Sequence, residues 1–207
     1  MITSDNMIEI IEPNPILLDY IKEASSLFCD FDGGKKEFLD FEEWHYVPSN
    51  LEQNIFLLKR MYEKSLLNEN VNICDCGIGL GSTMFDIYLQ SKEFTNKSFT
   101  FTGVEKYQPY IDHLKGRLIK YWDNNLNIIE GEIMDQDYSK YNLIYSYSPF
   151  KTEEKLIPYY EKIINEISSG SILVEFRNHG LGYNNILNGI KGIKPEEIDD
   201  IIVFRKI

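Results

Sequence analysis

The chain is short of the residues that staple a protein or hold it in a membrane. Three cysteines and three histidines among 207 residues complete neither a zinc cluster nor a disulfide framework. No run of 18 apolar residues occurs, so no transmembrane helix is expected. The opening Met1 to Asn6 lacks the basic and apolar regions of a secretory signal. Basic charge is also scarce: 21 Lys and Arg face 33 Asp and Glu, a net charge of −12. Because phosphate neutralisation supplies most nucleic-acid affinity, this balance argues against a broad nucleic-acid surface and leaves room only for a local basic patch. No internal repeat or low-complexity tract is present. The expectation is a single cytoplasmic domain over residues 1–207, with reduced, mostly buried thiols and no metal.

What is present is an alternation of short apolar strands and amphipathic helices. Ile16, Leu17, Tyr20, Ile21, Ala24, Leu27 and Phe28 recur at helical spacing, which predicts an N-terminal helix over about 15–28. Ser49 and Glu52 form a capping box ahead of an apolar stripe through Leu51, Ile55, Leu58, Tyr62 and Leu66. Strands are expected at about 71–76, 99–105, 126–130, 141–147 and 171–176, with a closing strand at 201–206. Helices are expected at 82–91, 109–121 and 153–168. Pro109 suits a first helical position, whereas Pro158 should kink or divide its helix. Such alternation is the signature of an α/β sandwich whose mostly parallel sheet is covered on both faces.

The densest signal is Val71-Asn72-Ile73-Cys74-Asp75-Cys76-Gly77-Ile78-Gly79-Leu80-Gly81, an apolar run ending in an acid and three alternating glycines. Glycine adopts conformations closed to other residues and lets a ligand approach the main chain. A helix starting near Ser82 would add free N–H groups suited to a carboxylate or phosphate. The spacing departs from the dinucleotide fingerprint G-x-G-x-x-G, because position 82 is Ser. A nicotinamide oxidoreductase is therefore disfavoured. A second acid, Glu105, ends the next strand, where its two oxygens suit a ribose diol. A plain strand-to-loop turn and a solvated Glu105 are the bland alternatives.

The run Asp75-Cys76-Gly77-Ile78-Gly79-Leu80-Gly81 resembles the first motif of the class I, seven-strand S-adenosylmethionine (SAM) methyltransferases. That resemblance implies a Rossmann-like three-layer sandwich with a seven-stranded sheet, its last strand antiparallel, and SAM as cofactor. It implies a cofactor site of Asp75, Gly77, Gly79, Gly81, Glu105, Glu132, Ile133 and Ser146, with Glu132 and Ile133 at the adenine edge. Tyr147-Ser148-Pro149-Phe150 is similar to the N/D-P-P-Y/F motif of amino-group methyltransferases but has Tyr for the acid or amide and Ser for the first Pro. That departure puts nucleobase or amide methylation in doubt.

Tyr46-Val47-Pro48-Ser49, one helix upstream, resembles the small lysine methyltransferases of the ATP-synthase c-subunit type, whose layout is similar to the Dot1-like enzymes. Carried over, residues 1–48 are an N-terminal helix and lid-like segment, 49–207 the SAM-binding core, and Tyr46 and Tyr147 the catalytic candidates. Tyr46-Val47-Pro48 reads equally as a hydrophobic staple before a capped helix. The resemblance implies methyl transfer to an amine, with a protein lysine first and a small metabolite second. The alternative is a methyltransferase-like binding or scaffold protein without activity. Tyr145 and Tyr147 are expected to shape an aromatic channel for the acceptor. Trp44, His45 and His179 are weaker candidates for the same site.

Overall fold

A computed structural model of the chain describes residues 14–31, 57–147, 149–150, 152–175, 184–198 and 201–207. Seven strands form one sheet in the order β3-β2-β1-β4-β5-β7-β6. They are β1 (Asn70–Cys76), β2 (Ser98–Glu105), β3 (Leu126–Glu130), β4 (Leu143–Ser146), β5 (Ile172–Glu175), β6 (Ile193–Ile198) and β7 (Ile201–Lys206). The first five run parallel, while β7 is antiparallel to both β5 and β6. The expected sandwich and its reversed last strand are thus observed.

One face packs α1 (Pro15–Phe31), α2 (Leu57–Glu63) and α3 (Ser82–Ser91) over Val71, Ile73, Phe101, Tyr145 and Val174. The other packs α5 (Glu153–Glu166) and α6 (Asn184–Gly189) over Cys74, Cys76, Val104, Ile144 and Leu173. The central strands are therefore buried on both sides, as parallel strands under helical layers must be. The helix α4 (Gln108–His113) follows β2, and its Tyr110 packs against the first of these two cores.

Four features differ from the sequence reading. The helix expected over 109–121 changes pitch: α4 passes into a π-turn at Leu114–Leu118 and a 3₁₀ turn at Ile119–Trp122. Gly116 lies within the π-turn, and Asp123 and Asn124 end the segment at φ 47° and 61°, a region that Asp and Asn tolerate. Pro109 is the second helical residue, where its missing N–H is no loss.

Pro158 does not divide α5, which runs unbroken. Pro158 and Glu154 are both exposed, so water can satisfy the Glu154 carbonyl that proline leaves without a helical partner. Finally, β6 and α6 occupy a stretch between 176 and 201 for which the sequence pattern predicts no element. β6 carries Lys194-Pro195-Glu196 and pairs only with β7, an edge position that accommodates a proline.

Candidate cofactor and acceptor site

The chain builds outward from β1 to β2 and β3, then returns to lay β4 on the other side of β1. Open α/β sheets bind ligands at such a reversal, outside the carboxyl ends of the strands. The glycine run follows β1 at this point and leads directly into α3 at Ser82.

Gly77, Gly79 and Gly81 all have left-handed backbone, with φ 83°, 56° and 74°. Gly77 and Ile78 donate their N–H groups to the Val104 carbonyl, both at 3.0 Å. This pair of bonds folds the loop over β2. It also drives Ile78 onto Gly103, where an added Cβ would stand 2.4 Å from Ile78 Cδ1 and 2.9 Å from its Cβ. Gly103 is thus part of the site's construction. A glycine inside a strand signals close approach of another segment, here Ile78.

The three motif glycines do different things. Gly77 is exposed, and a Cβ there would meet nothing within 4 Å, leaving open space on the ligand side. Gly79 donates its N–H to Glu105 Oε2 at 2.9 Å. Gly81 faces inward, where a Cβ would stand 2.9 Å from the Tyr20 hydroxyl and 3.3 Å from Leu114 Cδ2. Its place is in helix packing.

Glu105 is only 5% exposed. Its Oε1 accepts the N–H groups of Lys106 and Tyr107, each at 2.9 Å. Burial raises the carboxyl from its ordinary value, opposed by the N–H bonds from Tyr107, Gly79 and Lys106. With four lone-pair positions and three in use, the carboxylate keeps one acceptor position, on Oε2. Accepting from both hydroxyls of a ribose diol would require Glu105 to exchange one of these N–H partners.

Asp75 lies beside Gly103 on β2 and Tyr145 on β4. Desolvation, and then the charge of Glu105, push its carboxyl up to about 7. The Gly131 N–H bonds the Glu105 carbonyl at 2.9 Å, which ties the exit of β3 to the end of β2. Past it, Glu132 pairs with Lys106 at 3.4 Å, and Ile133 is buried at the start of a 3₁₀ turn. A cavity of about 430 Å³ opens there, lined by Lys106, Glu132, Met134, Phe150 and Pro158 among others. Its size falls within the range of small-ligand pockets.

At the end of β4 one cofactor-side expectation and one acceptor-side expectation differ from the structure. Ser146 is fully buried and its hydroxyl accepts from Tyr159 on α5 at 3.2 Å, so its side chain is turned from the glycine loop. Tyr145 is 2% exposed within the α1–α3 core and does not line an open channel. Tyr147, just beyond β4, is half-buried on that same face, and burial, then the charge of Glu175, raise its hydroxyl. Glu175 ends β5 opposite Ser146, is 7% exposed and accepts from the Tyr160 hydroxyl. It was missed because a lone acid at a strand end carries no spacing signal. Tyr46, with Trp44, His45, Ser49 and His179, lies outside the described residues.

Cys74 and Cys76 are buried free thiols, and the neighbouring Cys76 thiol and burial hold the Cys74 thiol well above its ordinary value. Among the described residues no three His, Cys, Asp or Glu side chains converge on a metal position.

No family model and no curated protein sequence matches the chain. Its fold does match solved structures. A methyltransferase from Geobacter sulfurreducens superimposes with a TM-score of 0.60 at 9% identity, over 96% of this chain and 93% of that one. Precorrin-6y C5,15-methyltransferase from Geobacter metallireducens gives 0.55 at 14% identity, over 80% and 94%. An RNA methyltransferase from Salinibacter ruber, solved with S-adenosyl-L-homocysteine, gives 0.51 at 14% identity, over 77% and 92%. The chain therefore has the Rossmann-like methyltransferase fold.

Proposed function

We propose that the chain is a SAM-dependent methyltransferase acting on an amine, with a protein lysine as first choice of acceptor and a small metabolite as second. The observation that carries this is the junction of the glycine loop with β2: Gly79 N–H on Glu105, Gly77 open to solvent, and the cavity beside Glu132. Those features fit the cofactor. Gly77 leaves room for close approach, Oε2 of Glu105 can accept a ribose hydroxyl, and Asp75 can neutralise an ammonium group. The adenine edge would sit against Ile133 and the cavity.

When bound, SAM supplies a methyl group already activated on a sulfonium. The protein is then left to hold the acceptor near that carbon, exclude water and let the amine lose a proton, positioning that can be worth roughly 7–11 kcal/mol. Tyr147 stands where β4 ends beside the loop, and its hydroxyl, kept neutral by burial, can accept an N–H or pass a proton on. A partly buried site also lowers the pKa of an amine, which favours the reactive neutral form.

Two of the three structures named above are called after RNA and precorrin acceptors, so the acceptor is the point to test. Incubating cell extract with labelled SAM and this protein, and following label into protein, nucleic acid and small molecules, separates them. Label in protein, stable to base as a methylated amine, is the expected result. Label confined to RNA would overturn the acceptor assignment.

A further inference from the structure

We infer that Tyr20 is a positioning residue for the glycine loop, through which α1 and the cofactor site act as one unit. This rests on the reading that the loop holds SAM. Tyr20 lies in the N-terminal helix, 60 residues before the loop, yet its hydroxyl donates to the Leu80 carbonyl at 2.6 Å inside the core. The ring is fully buried, stacked on Phe85 of α3 with centroids 4.1 Å apart, and edge-on to Tyr121 at 5.3 Å.

The hydroxyl is also the atom that a Cβ on Gly81 would meet first. The loop thus has two sides: Gly77 faces open space, while Leu80 and Gly81 are held from beneath by one hydroxyl. A purely apolar contact would not specify where the Leu80 carbonyl points, whereas a directed hydrogen bond does.

A second anchor makes the grip extend across the site. Glu23, one turn along α1, accepts from Lys120 at 2.8 Å and from the Tyr121 hydroxyl at 2.9 Å, and pairs with Arg117 at 3.5 Å. Those partners belong to the helical segment that follows Glu105 and the amides holding it. One helix therefore touches the two chain segments that flank the cofactor position. Coupling between such sites is reciprocal: if α1 holds the loop in its binding shape, then ligand on the loop must tighten α1.

The test uses the full chain and S-adenosylhomocysteine, with calorimetric titration and amide hydrogen exchange. Tyr20→Phe keeps the ring and removes only the donor. The expected result is weaker binding by about tenfold, within the usual span of coupling effects. In methyl transfer the KM for SAM rises while kcat is retained. Ligand slows exchange across residues 15–31 in the wild type and does so less in Tyr20→Phe. Tyr88→Phe, which removes a hydroxyl from the same aromatic cluster that bonds Asp123 and not the loop, leaves affinity unchanged. Equal affinity in Tyr20→Phe, or exchange in 15–31 that ligand does not alter, overturns the inference alone. A folded wild type that binds no S-adenosylhomocysteine overturns the inference together with the cofactor reading beneath it.

Discussion

Gly103→Ala probes how the cofactor loop is seated. A methyl at 103 would lie 2.4 Å from Ile78 Cδ1, 2.8 Å from Cγ2 and 2.9 Å from Cβ, whereas unstrained carbons sit about 3.5–4.0 Å apart. Rotation of Ile78 can move Cδ1, but its Cβ rides on the backbone, and Ile78 is held by its N–H bond to Val104. The loop must lift from β2. Overpacking of this kind costs roughly 1–3 kcal/mol, offset by about 0.5–1 kcal/mol from the smaller chain entropy of Ala.

The net loss is then centred on about 1 kcal/mol with an upper end of about 2.5 kcal/mol, and with about 2–4 °C per kcal/mol for a domain of this size, Tm should fall by about 2–4 °C and by no more than about 10 °C. S-adenosylhomocysteine should bind more weakly as well, because Gly79 N–H and Glu105 move apart. Adding Ile78→Ala removes two of the three colliding atoms and should recover part of the loss, a coupling of about 0.5–3 kcal/mol in the double-mutant cycle. Thermal unfolding with and without ligand reads all of these. A Gly103→Ala protein at least as stable as wild type, with unaltered affinity, refutes the reasoning.

Three further outcomes follow from the same geometry. Asp75, raised to about 7 by burial and Glu105, contributes stability to the free protein that is complete below the ordinary carboxylate pKa and lost as pH rises to about 7. A cationic ligand favours the ionised form, so SAM affinity measured by titration calorimetry should rise across pH 6 to 8, about the Asp75 value, and the rise should vanish in Asp75→Asn. Tyr160→Phe takes a donor from buried Glu175 and should cost about 1.5–3 kcal/mol in denaturant unfolding. Gly81→Ala should lose stability through its φ of 74° and the Tyr20 hydroxyl, and Tyr20→Phe in the same chain should make its thermal penalty smaller than the sum of the two single losses.

The glycine loop, the acid at the end of β2 and the parallel sheet were legible because each is a local pattern: an apolar run, a breaker, a helix start. Ser82–Ser91 and Leu126–Glu130 coincide with the expected elements residue for residue. Side-chain direction was not legible at β4. A strand buried on both faces has no polar alternation, so nothing in Leu143-Ile144-Tyr145-Ser146 says that Ser146 turns to α5 and Tyr145 to α3.

Long-range partners were equally hidden. Tyr20 fits an amphipathic stripe as well as Leu17 or Leu27 does, and only the folded chain shows its hydroxyl on Leu80. The roles of Gly79 and Gly81 differ for the same reason, since spacing tells that the loop is tight and only packing tells which side is open. β6 was missed because Pro195 and its charged neighbours oppose strand propensity, and an edge position overrides that.

The central claim is that the open side of the glycine loop is where SAM lies, and Gly77 tests it most directly. A Cβ there meets nothing within 4 Å and points to the exposed side of the loop, so Gly77→Leu fills the ligand side at a backbone cost of about 1–2 kcal/mol. Calorimetric titration with S-adenosylhomocysteine should show one site in the wild type and none in a Gly77→Leu protein that still unfolds cooperatively. A folded wild type that binds nothing, or a Gly77→Leu protein that binds as tightly as wild type, would contradict the account.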